Sequence, residues 1–270
     1  MSSTEHLLPD AKRLCMEPTL RSTGRLETVL VVLLFVLATP TIACAGDPPE
    51  ERPPSETVIL LHGLGRSSGS MKPLAADLED RGFRVVNFGY PSTEEPPESL
   101  VARLDDEIES CCLASPKLHF VGHSLGGILV RAYLAETRPS NLGRLVMLGP
   151  PNKGSELIDE FGDSALFEWA MGPTALLLGT SADSLPNSLP APTIEVGIIA
   201  GTGTVNPIGS VILPDEDDGM VSLERTKLEG MADFLVVPDS HALIMRSREV
   251  ARQVALFLRT GHFDHSEPRD

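Results

Sequence analysis

From Thr57 onward, short apolar runs alternate with longer stretches in which apolar residues recur every three or four positions. The short runs are TVILL (57–61), FRVVNF (83–88), KLHFV (117–121), GRLVML (143–148), IEVGIIA (194–200) and DFLVV (233–237). Runs of this length with little polar interruption read as strands covered on both faces. The longer stretches are MKPLAADLEDR (71–81), PESLVARLDDEIESCC (97–112), SLGGILVRAYLAET (124–137) and ALIMRSREVARQVALFLRT (242–260), and their spacing is helical. Strand and helix in regular alternation predict an α/β domain over residues 57–262, a mostly parallel sheet of about six strands with helices on both faces.

The flanks follow other rules. Residues 28–38, TVLVVLLFVLA, are uncharged, preceded by Lys12, Arg13, Arg21 and Arg25 and followed by TPTIACAG. A bilayer-spanning helix needs about 20 apolar residues, and Pro40 interrupts this one, so a signal peptide over 1–45, cleaved after Ala45, is expected. The long lead before it makes Met16 an alternative start. Export, to a periplasm or beyond, is therefore expected; membrane anchoring through the apolar segment or through a lipidated Cys44 is the rival reading. Residues 46–56, with four prolines and four acids in DPPEERPPSE, read as an extended linker. Residues 263–270 read as a polar tail.

Composition narrows the partners. A chain of 270 residues with 41% hydrophobic content suits one large core. Lys and Arg total 22 against 38 Asp and Glu, a formal charge of −16, which argues against nucleic acid and against electrostatic attraction to anionic lipid. Cys15 and Cys44 fall in the leader. Cys111 and Cys112 are expected to be buried or idle thiols, because adjacent cysteines rarely bridge one another without strain and no metal-type spacing is present.

The chemistry concentrates after two of the strands. Gly122-His123-Ser124-Leu125-Gly126 forms a G-x-S-x-G pattern between the third strand and the helix that follows. A serine on so tight a turn needs small neighbours two residues away, and the helix behind it presents free N–H groups and a positive dipole end. The first strand ends in His62-Gly63-Leu64-Gly65, where a second oxyanion donor is expected. The candidate donors are the N–H groups of Leu64 and Leu125, with Gly65 in reserve for the first. His62 and His123 are expected to shape their loops.

A serine nucleophile needs a base from a later loop. His6 is in the leader, His119 within a strand, and His262 and His265 in the polar end of the chain, which leaves His241, after the last strand and before the last helix. Between serine and histidine, LPDEDDGMVSLERT (213–226) offers Asp215, Glu216, Asp217 and Asp218 as the orienting carboxylate; Asp218, beside the glycine turn, is preferred, with Asp217 second.

Over Thr57–Phe257 the chain resembles the α/β-hydrolase superfamily, and within it the bacterial lipase-like esterases, on the strength of His62-Gly63-Leu64-Gly65, Gly122-His123-Ser124-Leu125-Gly126-Gly127, DDGMVS (217–222) and His241. In lipases of that group the aspartate before the D-G-x-V glycine is catalytic, which the resemblance carries onto Asp218. It implies hydrolysis of an acyl ester or lipid by Ser124, Asp218 and His241 through an acyl-enzyme, with no cofactor. It leaves open transient contact with a lipid surface, a transacylase, a thioesterase, and a catalytically silent binding protein. The stretch between the fourth and fifth strands is long and apolar, with Leu157, Ile158, Phe161, Leu166, Phe167, Trp169, Met171 and Leu176–Leu178, so a lid over 152–192 and a preference for medium or long acyl chains are expected.

Overall fold

The computed structural model describes residues 55–162, 164–165, 170–205, 211–214 and 216–266. Strands β1 (Thr57–Leu61), β2 (Arg84–Phe88), β3 (Leu118–His123), β4 (Leu142–Leu148), β5 (Val196–Gly203) and β6 (Asp233–Ser240) lie in one sheet in the order β2-β1-β3-β4-β5-β6. Every neighbouring pair is parallel. The helices that lie wholly among the described residues are α1 (Lys72–Asp80), α2 (Pro97–Cys111), α3 (Leu125–Glu136), the short α4 (Glu156–Phe161), α5 (Pro173–Leu176), α6 (Leu185–Ser188) and α7 (Leu223–Thr226), and finally α8 (Arg248–Thr260).

Successive side chains of a strand point to opposite faces, and here each face has its own helices. Val58, Leu60, Val121, Val146, Leu148 and Ile199 pack in one apolar layer with residues of α1 and α8. Ile59, Leu61, Phe120, Leu145, Met147 and Ile198 pack in the other with α2 and α3. That double burial is why these strands carry no polar alternation.

The strand order sets the position of any site. The chain leaves β1 toward β2 on one side, and leaves β3 toward β4 on the other. Loops that depart in opposite directions open a crevice at the carboxyl ends of the strands they leave. Those two loops begin with His62-Gly63-Leu64 and with Ser124.

Three expectations require correction. The last helix begins at Arg248 and not at Ala242, because Ser247 is extended (φ −72°, ψ 125°) and its hydroxyl accepts the Val250 N–H at 3.5 Å, a helix start. The preceding Ile244–Arg246 forms a 3-10 turn that still buries Ile244 and Met245. Strands β3, β5 and β6 run on past their apolar runs, to His123, Gly203 and Ser240; ladder hydrogen bonds join main chains whatever the side chains, and Gly203 pairs with Ser240 at the far end. Cys111 and Cys112, finally, are joined in a disulfide. Adjacent side chains on a helix diverge by about 100°, and the bond forms where α2 stops, with Cys112 at φ −124°, ψ −12°.

The stretch after β4 is part core. Ile158 and Leu178 are buried in the layer shared with α2 and α3. From α3, Arg131 donates to Asn152 Oδ1 and to the Leu189 carbonyl, both at 3.0 Å, and Asn152 Nδ2 donates to the Thr226 carbonyl at 2.8 Å. Burial lowers the Arg131 guanidinium to about 10. Leu166, Phe167 and Trp169 lie outside the described residues.

The largest side chain that helix α8 buries is Phe257, which has no solvent exposure and packs on Phe263 with ring centroids 4.8 Å apart. Phe257→Ala should destabilise the domain by roughly 3–5 kcal/mol, read from urea unfolding; a loss below about 1 kcal/mol would show that α8 does not depend on this contact.

Candidate active site

One residue separates β3 from α3. Ser124 has φ 52° and ψ −123°, the one positive φ among the described non-glycine residues, a conformation that costs about 1–3 kcal/mol. Its N–H donates to the Leu148 carbonyl at the end of β4 (2.9 Å), and its carbonyl accepts the Gly127 N–H (3.0 Å). The two motif glycines leave room for this turn: a β-carbon at Gly122 would lie 2.3 Å from the Gly127 nitrogen, and one at Gly126 would lie 2.5 Å from the Leu61 carbonyl oxygen. Strand β3, helix α3 and strand β1 therefore meet backbone to backbone.

Asp218 and His241 arrive from the loops after β5 and β6. His241 Nδ1–H donates to Asp218 Oδ2 at 2.7 Å. Since a carboxylate only accepts, Nδ1 carries the proton and Nε2 is the basic nitrogen of the neutral ring. The other oxygen, Asp218 Oδ1, accepts the N–H groups of Met220 (3.0 Å) and Val221 (2.9 Å), and the His241 N–H returns to the Asp218 carbonyl at 2.9 Å. Both residues are buried. Gly149, at φ 53°, borders them so closely that a β-carbon there would lie 2.8 Å from Asp218 Oδ2. Asp217 points elsewhere: its Oδ1 accepts the Gly219 N–H at 2.6 Å, bracing the turn. Asp215 lies outside the described residues.

Histidines 62 and 123 are framework. His62 Nδ1–H donates to the Gly63 carbonyl (2.9 Å), its ring stacks on Tyr90 with centroids 4.1 Å apart, and the Tyr90 hydroxyl donates to the His62 carbonyl. His123 Nε2–H donates to the His241 carbonyl at 3.0 Å, and the two rings lie 4.8 Å apart. Of the expected oxyanion donors, Leu125 N–H opens α3 and has no turn before it to bond to. The Leu64 N–H meets no acceptor among the described residues. The Gly65 N–H is occupied, donating to Ser92 Oγ at 3.1 Å.

Ser124, Asp218 and His241 all border one cavity of about 450 Å³, which Leu64, Leu157, Ile158, Phe161, Met171 and Leu178 help to line. A family model described as alpha/beta hydrolase fold matches residues 56–181. The chain has the α/β-hydrolase fold. Among solved structures of that fold it is similar to the mature lipase BlEst2 of Bacillus licheniformis, at TM-score 0.62 and 20% identity, over 80% of this chain and 96% of that one. It is also similar to the phospholipase PlaB of Legionella pneumophila, at TM-score 0.62 and 16% identity, over 77% and 60% of the two chains. RutD of Agrobacterium fabrum, provisionally named a carbamate hydrolase, is 33% identical over 104 residues, 36% of this chain and 39% of that protein. The chain thus spans about two-fifths or less of the length of the curated relatives it matches.

The structure places Ser124, Asp218, His241 and Leu64 around one cavity, and Leu125 follows Ser124 as the first residue of α3. Sequence reasoning missed Gly149, whose G-P-P context after β4 was the available signal, and Arg66, a cation in the His62–Gly65 loop region that also lines the cavity. It also missed the bond from His123 to the His241 main chain, which links residues far apart in the chain and left no local trace.

Two outcomes follow for stability. Gly126→Ala should cost at least about 3 kcal/mol or prevent folding, since backbone must move to admit the methyl group; an unfolding midpoint within 1 kcal/mol of the parent would contradict the close approach. His62, His119 and His123 all have pKa values lowered, in each case first by burial. The unfolded chain then binds protons that the folded chain refuses, so stability falls as pH drops below about 6.5, by up to about 1.4 kcal/mol per pH unit for each histidine. Urea midpoints at pH 7, 6 and 5 test this, and a flat series would refute it.

Proposed function

We propose that this α/β-hydrolase-fold protein is a serine esterase or lipase that cleaves carboxylic esters through an acyl-enzyme intermediate. The observation that carries the reading is the 2.7 Å bond from His241 Nδ1–H to Asp218 Oδ2, in a wall of the cavity that Ser124 also borders. His241 Nε2 takes the proton of the Ser124 hydroxyl as Oγ attacks the ester carbonyl. The oxyanion is held by the N–H groups of Leu64 and Leu125. Collapse of the tetrahedral intermediate breaks the bond to the leaving alcohol, which receives the proton from His241. Water, deprotonated in turn by His241, then attacks the acyl carbonyl, and collapse breaks the bond to Ser124 Oγ, which takes the proton back from His241 as the acid leaves. Asp218 keeps the imidazole in the tautomer that each step needs. The names of BlEst2 and PlaB, a lipase and a phospholipase, agree with an ester or lipid substrate.

Ser124→Ala should abolish both ester turnover and labelling by a fluorophosphonate while leaving the fold intact; turnover by folded Ser124→Ala protein would refute the mechanism, and a parent protein that hydrolyses no ester would favour a silent binding role. Asp218→Asn should lower turnover by about 10³ to 10⁴ through the wrong tautomer. Asp217→Asn, whose amide oxygen still accepts from Gly219, should change it only a few-fold, and the reverse ranking would move the role to Asp217.

The segment over 152–192 supplies Leu157, Ile158, Phe161, Met171 and Leu178 to the cavity, which supports a lid-like acyl wall. Each methylene removed from water there contributes up to about 0.8 kcal/mol, so kcat/KM for p-nitrophenyl esters should climb from acetate to octanoate by up to roughly fourfold per methylene. Acetate as the best substrate would mean that the wall does not hold the acyl chain.

A further inference from the structure

The cavity beside Ser124 is lined chiefly by apolar side chains, yet Arg66 is one of the residues that border it. The only other charged side chain in that wall among the described residues, apart from the imidazoles, is Asp218. Its carboxylate is spent on His241 and on the Met220 and Val221 N–H groups. Among the described residues Arg66 therefore has no free anion in the cavity to pair with. Nor has it one elsewhere: among the described residues its guanidinium makes no ion pair and no hydrogen bond.

In this chain that is unusual, because acids outnumber bases 38 to 22. Arg103, Arg144, Arg225 and Arg252 each hold a carboxylate. Arg84, Arg131 and Arg259 hold no carboxylate but donate to main-chain carbonyls, and Arg138, Arg246 and Arg248 are exposed, where water serves, whereas Arg66 is half-buried with no such acceptor among the described residues. A cation kept partly from water without a counter-ion is unfavourable until something supplies the anion. Burial, then the neighbouring Arg246, pulls the Arg66 guanidinium below the usual arginine value, which is the mark of a charge without a protein partner.

The placement says what would supply that anion. Arg66 lies two residues after Leu64, and its own N–H closes the turn onto the Gly63 carbonyl at 3.3 Å. An anionic group held there would sit on a molecule whose carbonyl lies at Ser124. The planar guanidinium offers paired donors that match a carboxylate or a phosphate. The distant acidic surface opposes this little at physiological salt, where charges more than about 8 Å apart in water are largely screened.

We infer that Arg66 is a specificity-determining residue, and that the preferred substrates are amphiphilic esters bearing a carboxylate or phosphate, with the apolar portion against the cavity wall and the anion on Arg66. The inference rests on the esterase reading above.

The test compares matched pairs of substrates on the intact protein. One arm sets the mono-p-nitrophenyl ester of glutaric acid against p-nitrophenyl pentanoate; the other sets 1-oleoylglycerol 3-phosphate against 1-oleoylglycerol. Parent protein should favour the anionic member, by kcat/KM, in at least one arm, and the preference should shrink as salt rises. The arm that responds tells whether the anion belongs to the acyl or to the alcohol portion. Arg66→Gln should lower the anionic-to-neutral ratio in that arm by roughly 10- to 100-fold, Arg66→Lys by less, and Arg66→Glu should carry it below one. A parent preference for the neutral ester in both arms overturns the inference without any variant, as does a ratio that Arg66→Gln leaves unmoved. Ser124→Ala separates the two levels: if it still cleaves the neutral esters, the esterase reading fails, and if it is inactive while the ratio ignores Arg66, only the recognition role fails.

Discussion

The positive φ of Ser124 is a constraint that the surrounding structure has to maintain. An isolated serine would leave that conformation, gaining about 1–3 kcal/mol, so something must hold the residue from both sides. On one side the Ser124 N–H is tied to the end of β4, and on the other α3 starts at the next residue. The helix can start there only because Gly122 and Gly126 let its first turn rest against the backbone of β3 and β1. The central strands, their order and the helix behind them are thus one arrangement with the turn. The apolar layers on each face keep those strands in register.

The second polar centre is built on a different principle. Neither Asp218 nor His241 has a positive φ; the pair is held by hydrogen bonds. Both carboxylate oxygens have donors, the imidazole has its acceptor, and the His241 main chain is bonded at its N–H by Asp218 and at its carbonyl by His123. A buried carboxylate held by three donors across both its oxygens has little freedom to turn away. His123 belongs to the same strand end as Ser124, so the base is indexed to the turn by main-chain contact as well as by the shared cavity.

Much of this was legible in the sequence because it depends on local periodicity. Six apolar runs gave six strands, and G-H-S-L-G between a strand and a helix located the turn. The preference for Asp218 over Asp217 was also readable, since only the residue next to Gly219 is aimed by the glycine turn toward His241. What escaped depends on contacts between distant segments. The acidic surplus drew attention away from Arg66, a half-buried arginine that no carboxylate among the described residues pairs, which shows only once the nearby side chains have been located. The start of α8 was misplaced because Ala242–Met245 is apolar enough to continue a helix, while Ser247 decides that it does not. The cysteine pair was misread because the rule against adjacent bridges assumes continuing regular structure, and α2 ends between them.

That bridge has a consequence for how the domain responds to reductants. A cross-link stabilises a fold chiefly by removing conformations from the unfolded chain, in proportion to the length of chain it closes. Between residues one apart in sequence there is almost no chain to close. Reducing it therefore removes almost nothing from the thermodynamic balance of a domain whose two apolar layers already hold the sheet. Its oxidation state can follow the surrounding thiol–disulfide poise without loosening the domain, at the end of α2, twelve residues before Ser124.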